Sequence, residues 1–158
     1  MNWIQGAIDG VEVRKPARFA DARGWLSEVF RSDEAPPDRV PAMGYVSVTH
    51  PGMERGPHEH LEQTDVFGFC GPGRFLVRMW DARKDSRTFG TMMTLAAGED
   101  SPAVVVVPPG VVHGYRNVST VDAWVLNLPN RLYAGKGRRS PVDERRYENV
   151  PDSGFSLD

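Results

Sequence analysis

With 158 residues, 40% of them hydrophobic and 25% charged, the chain has the make-up of a globular protein and the length for one domain with a sizeable core. A net charge of −2 offers no cationic excess, so neither nucleic acid nor an anionic membrane is expected as a partner. The single cysteine, Cys70, excludes an internal disulfide and a cysteine-rich zinc site, and in its apolar run it reads as a buried thiol.

The first six residues lack a basic leader and a long apolar stretch. No run approaches the roughly 20 apolar residues of a membrane helix, so a cytoplasmic location is expected. Residues 11–15 alternate and predict a first strand, ended by Pro16. Residues 18–20 are extended, residues 21–24 form a turn, and residues 25–30 make the next strand. Residues 31–42, rich in proline and acid, predict a surface loop with at most one helical turn. Residues 44–50 are a β-rich run broken by Pro51-Gly52. Residues 64–70 lead into the turn signal Gly71-Pro72-Gly73, and residues 74–81 are expected to pair back as a hairpin partner. Residues 89–95 follow, then the β-branched run 103–107, suited to a strand buried on both faces. Residues 111–117 and 121–128 complete the series, and the charged tail 138–146 has room for one short helix. Many short strands with frequent turns predict an all-β sandwich or barrel, with residues 1–158 as a single domain.

The chemistry concentrates in residues 55–65, RGPHEHLEQTD. In an extended chain His58 and His60 point to one face, because side chains alternate along a strand. Asp65 adds a carboxylate, with Glu62 as its substitute. A third imidazole must come from elsewhere. His113 is placed for it, after the Pro108-Pro109-Gly110 turn. Three imidazoles and a carboxylate suit a borderline divalent ion such as Zn²⁺, Fe²⁺, Mn²⁺ or Ni²⁺.

His-x-His-x4-Asp followed by Pro-x-Gly-x2-His-x3-Asn resembles the two motifs of the cupin superfamily. The resemblance implies a jelly-roll β-barrel with a core at about residues 10–130 and a short C-terminal extension. It also carries His58, His60, Asp65 and His113 into metal-ligand positions, although the superfamily usually has glutamate where Asp65 stands. Residues 21–30 (DARGWLSEVF), 47–58 (SVTHPGMERGPH), 81–90 (DARKDSRTFG) and 108–115 (PPGVVHGY) resemble, in order, the signatures of dTDP-4-dehydrorhamnose 3,5-epimerases. That resemblance implies a homodimer and metal-free epimerisation at C3 and C5 of a dTDP-4-keto sugar. His58 would be the base, Arg23 and Arg55 would bind phosphate, and Tyr133 would be a substrate-stacking aromatic.

The chain also departs from that pattern. The family's acid, a tyrosine, falls on Leu126. A family lysine is absent near residues 64–66. The family's Gln and Asn fall on Met43 and Tyr45, and its glutamine two residues after the base is His60. These departures lead to the expectation of a metal-containing relative, an isomerase or epimerase of a small carbonyl compound or nucleotide sugar. A metal would polarise the carbonyl, and Glu28, His50 or Tyr115 would transfer the proton. A metal-free 3,5-epimerase, an Fe²⁺ dioxygenase and a non-catalytic binding cupin remain as alternatives. A histidine that ligates a metal has no lone pair left for a proton, so His58 has one role or the other.

Overall fold

The computed structural model describes residues 2–158. Its strands are β1 (Ile4–Gln5), β2 (Glu12–Arg14), β3 (Arg18–Asp21), β4 (Gly24–Ser27), β5 (Tyr45–Thr49), β6 (Glu54–Glu59), β7 (Asp65–Phe69), β8 (Arg74–Asp81), β9 (Thr91–Gly98), β10 (Ala103–Val107), β11 (Val111–Asn117), β12 (Ala123–Asn127) and β13 (Arg145–Arg146). One sheet runs β1-β9-β8-β11-β6-β13 and the other β2-β10-β7-β12-β5, while β3 and β4 form a separate hairpin. The result is an all-β jelly roll. Two single 3-10 turns, Pro37–Arg39 and Lys136–Arg138, are its helical content among the described residues. No helix among them is long and apolar enough to cross a membrane.

Alternation along the strands fills the space between the two sheets. Phe67, Phe69, Val105, Val107 and Val125 enter from one sheet, and Phe75, Val77, Met79, Val111 and Tyr115 from the other. The strand at residues 103–107 is buried along nearly its whole length, with Val106 partly open.

The expected hairpin of residues 64–70 with residues 74–81 does not form. β7 pairs with β10 and β12, whereas β8 pairs with β9 and β11 in the opposite sheet. The Gly71-Pro72-Gly73 turn carries the chain between sheets, and the carbonyl of Pro72 accepts the N–H of Trp124 at 3.0 Å. The crossing lets Phe69 and Phe75 meet face to edge inside the sandwich, with ring centroids 5.4 Å apart. Side by side on one sheet they could not enclose the core between them.

Both termini are more structured than the sequence suggests. β1 pairs parallel with β9. In the tail, residues 145–146 form a strand on the open edge of β6 instead of a helix, with Arg146 opposite His58. Leu157 and Trp80 are buried together, with Trp3, Tyr147 and Phe155 packed on them. The motif at residues 81–90 has a structural task. Asp81 is fully buried and accepts bonds from Arg83, Ser86 and Thr88, closing the loop between β8 and β9.

Candidate functional site

Strand pairing brings the histidines together. β6 and β11 run antiparallel with His58 opposite His113, and the register shifts between His113 and Tyr115. Gly56 makes the close approach possible. Its φ is +80°, and a Cβ there would stand 2.6 Å from the carbonyl oxygen of His113. The ring centroids of His58 and His113 are 4.4 Å apart, and those of His58 and His60 are 5.3 Å apart. A ligating nitrogen from each of the three lies within 4.8 Å of the others.

Hydrogen bonds to backbone carbonyls fix two of the three rings. Nδ1 of His113 donates to the carbonyl of Val111 at 3.0 Å, and Nδ1 of His60 to the carbonyl of Asp143. Asp65 enters from β7 in the facing sheet and is almost fully buried. Its Oδ1 accepts from Gln63 Nε2 and Asn127 Nδ2, each at 3.0 Å. Its Oδ2 stands 3.2 Å from Nε2 of His60 and 3.6 Å from Nε2 of His113. Asp65 Oδ2 and His113 Nε2 are buried polar atoms without a hydrogen-bond partner. Glu62, the alternative carboxylate, turns outward to Arg131 at 3.1 Å.

The three imidazoles differ electrostatically. Burial, reinforced by its two histidine neighbours, pushes His58 down to about 2, so it is neutral. Burial also lowers His113. Burial would lower His60 too, but the Asp65 carboxylate and the Asp143 carbonyl outweigh it and raise its pKa. Burial would raise Asp65, yet His60, His113 and Asn127 hold it below the usual carboxylate range.

A cavity of about 830 Å³ opens above this cluster between the two sheets. His58, His60, Arg55, Tyr115 and Tyr133 all line it, as do Tyr45 and Asn127, whose importance sequence reasoning missed. Strand alternation could have found Asn127. On β12 the side chains of Ala123, Val125 and Asn127 turn inward, so Asn127, not Leu126, occupies the cavity-facing end of that strand. Arg55 is tied to β5, donating to Val48 O at 2.8 Å and Thr49 Oγ1 at 3.2 Å.

Five of the expected site residues do not line the cavity, and two of them, Asp65 and His113, are buried beside the histidines that do. Glu28 pairs with Arg31, His50 is exposed and pairs with Asp122 at 2.8 Å, and Arg23 is exposed beside Asp21. Glu28 and Arg23 belong to the β3–β4 region, which forms no sheet with the rest of the chain, and His50 follows the outer end of β5.

The tail supplies a further residue with no signal in the sequence. The Asp143 carboxylate accepts the backbone N–H groups of Leu61, Glu62 and Gln63 at 2.8–3.0 Å, clamping the loop between His60 and Asp65. Replacing Asp143 by alanine should therefore cost about 2 kcal/mol of stability by thermal denaturation, the worth of hydrogen bonds to one charged group. It should also lower turnover about tenfold, since small displacements of reacting groups are costly. Wild-type turnover in that variant would show that the clamp does not position the histidines.

A jelly roll whose polar cavity is floored by clustered imidazoles is the architecture of a cupin-type enzyme. Residues 5–140 match the profile of the dTDP-4-dehydrorhamnose 3,5-epimerase family, and the chain belongs to that family. It is 41% identical over 127 residues to the probable low-salt glycan biosynthesis epimerase Agl13 of Haloferax volcanii, covering 80% of this chain and 81% of that one. It is 37% identical over 126 residues to the spore coat polysaccharide biosynthesis protein SpsL of Bacillus subtilis, covering 80% and 82%. Among solved structures, it resembles a double mutant of ChmJ, a 3'-monoepimerase from Streptomyces bikiniensis, in complex with dTDP. The TM-score is 0.78 at 25% identity, over 95% of this chain and 75% of that one. The chain is thus an epimerase-like enzyme related to the dTDP-sugar 3,5-epimerases.

Proposed function

We propose that the protein epimerises a nucleotide-linked 4-keto sugar by proton transfer at carbon beside the ketone, with His58 as the base. The carrying observation is the division of labour among the imidazoles. His58 is neutral and lines the cavity. His60 is held by the Asp143 carbonyl at Nδ1, and its Nε2 stands 3.2 Å from the Asp65 carboxylate. A neutral imidazole takes a proton, and a neighbouring imidazole whose pKa the Asp65 carboxylate raises favours the negative charge of an enolate.

The rim suits a nucleoside diphosphate. Arg131, Lys136, Arg138 and Arg146 line the cavity. Lys136 and Arg138 make no ion pair among the described residues, and so are free to meet phosphate. Tyr133, half exposed at the same rim, offers a stacking face for a base. The complex of ChmJ with dTDP supports a nucleotide of this type.

Arg23 and Glu28 enter this proposal through a second copy. The β3–β4 hairpin exposes the cross-strand pair Phe19 and Leu26 on one face and Trp25 on the other, apolar groups suited to a homodimer in which the hairpin reaches the partner's cavity. Incubation with dTDP-4-keto-6-deoxyglucose, then borohydride reduction and sugar analysis, tests the reaction. New 6-deoxyhexose epimers are expected beyond the two that reduction of the substrate gives. Only those two, at high enzyme concentration, would sink the proposal.

A second reading is favoured by the unpartnered lone pairs of Asp65 Oδ2 and His113 Nε2. With His58 and His60 these residues fit a divalent ion by donor type, and the Nδ1 bonds of His60 and His113 to backbone carbonyls leave each Nε2 free to ligate. Such an ion, when bound, would supply Lewis-acid polarisation of the ketone. His58 would then be a ligand and not a base. On the proton-transfer reading, protein purified without a histidine tag carries far less than one ion per chain and keeps its turnover after chelation. About one ion per chain, with turnover lost to a chelator, selects the metal reading.

A further inference from the structure

Epimerisation removes a proton from one face of a carbon and delivers one to the other, so a base on one cavity wall needs an acid on the wall opposite. His58 stands on β6, in the six-stranded sheet. Tyr115, one of the three proton-transfer residues expected from sequence, stands on β11 of that same sheet and is buried, its hydroxyl 3.5 Å from Ser47 Oγ. It shares a wall with the base.

The facing sheet brings Tyr45 into the cavity from β5, directly opposite Asn127 of β12. Asn127 Nδ2 donates to the Tyr45 hydroxyl oxygen at 2.8 Å. A phenol has one proton to give, and its oxygen is already accepting, so that proton remains available to the cavity. The same bond stabilises the phenolate left after donation. Asn127 also donates to Asp65 Oδ1 at 3.0 Å, which fixes its orientation against Tyr45. Tyr45 is 46% exposed, open to a molecule entering from the rim. Burial of its hydroxyl raises the pKa, which keeps it protonated and ready to donate.

We propose that Tyr45 is the catalytic acid of this chain, delivering a proton to the face of the enolate opposite His58, with Asn127 holding its hydroxyl. The inference rests on the epimerase reading above. In the first half-reaction the C–H proton passes to His58, the C–H electron pair becomes the enolate C=C, and the ketone π pair moves to oxygen. In the second, the Tyr45 O–H bond breaks, a C–H bond forms on the other face, and the ketone re-forms. Solvent then returns a proton to the tyrosinate and takes one from the imidazolium, so the reaction is redox-neutral.

The test compares inversion with exchange. Wild type, Tyr45→Phe and His58→Asn are each incubated with dTDP-4-keto-6-deoxyglucose in deuterium oxide. Epimer formation and deuterium in recovered substrate are followed together. In Tyr45→Phe, epimer formation should fall about 10²–10³-fold, while deuterium still enters recovered substrate with retention. His58→Asn should lose both. Epimer formation in Tyr45→Phe within threefold of wild type would overturn the assignment. So would parallel loss of exchange and inversion in Tyr45→Phe, which marks a structural role. A wild type that neither exchanges nor epimerises overturns the epimerase reading itself.

Discussion

His58→Asn should reduce turnover of a 4-keto sugar nucleotide by about 10³-fold or more, with little change in KM. Asparagine keeps a polar side chain of similar reach but cannot take a proton at neutral pH. The fold gives no reason for collapse. The backbone pairing of β6 with β11 and β13 does not use the imidazole, and the side chain is only partly buried. The melting temperature should therefore stay within a few degrees of wild type. A variant that is folded, binds dTDP and still turns over at more than a tenth of the wild-type rate would remove His58 from the chemistry.

The second large effect concerns stability. Asp81→Asn should cost about 3–5 kcal/mol, the usual consequence of removing one partner from a buried charged network. The Asp81 carboxylate accepts from Arg83 Nε at 2.8 Å and Nη2 at 2.9 Å, and from the hydroxyls of Ser86 and Thr88 at 2.5 Å each. An amide has one acceptor oxygen, and its NH2 would face these donors. The melting temperature should fall by about 10 °C. Although burial works against the charged form, the same bonds hold the Asp81 carboxyl well below its ordinary value of 3.8. Its contribution is therefore complete above pH 3.8 and is lost as pH falls through the depressed folded value. The gap between wild type and variant in thermal melts should be widest near neutrality and narrow in strong acid. A gap below 1 kcal/mol at pH 7, or one independent of pH, would contradict this account of the loop.

Period-two alternation made most strands legible, because inward and outward positions differ sharply in burial, as on β8 and β12. The sheet partners were not legible. The Gly71-Pro72-Gly73 turn suits a hairpin or a crossing equally well, and only the need to pack Phe69 against Phe75 decides. β13 was invisible because its two arginines carry no apolar signal, and the free edge of β6 is what makes them a strand. The clustering of His58, His60 and His113, with Asp65 beside them, was legible from spacing. Asp143 was not, since its role depends on three backbone N–H groups some 80 positions earlier in the chain. Leu126, on which the family's acid falls, does not line the cavity, whereas its neighbour Asn127 does, since adjacent strand residues take opposite faces. Asn127 in turn points to Tyr45.

The most direct measurement is proton NMR of dTDP-4-keto-6-deoxyglucose in deuterium oxide with enzyme freed of metal by chelation. The sugar C–H signals beside the ketone should disappear, and signals of an epimer should grow in, at the rate of untreated enzyme. Persistence of those C–H signals with the chelated enzyme, and their loss only after a divalent ion is restored, would contradict His58 as the base.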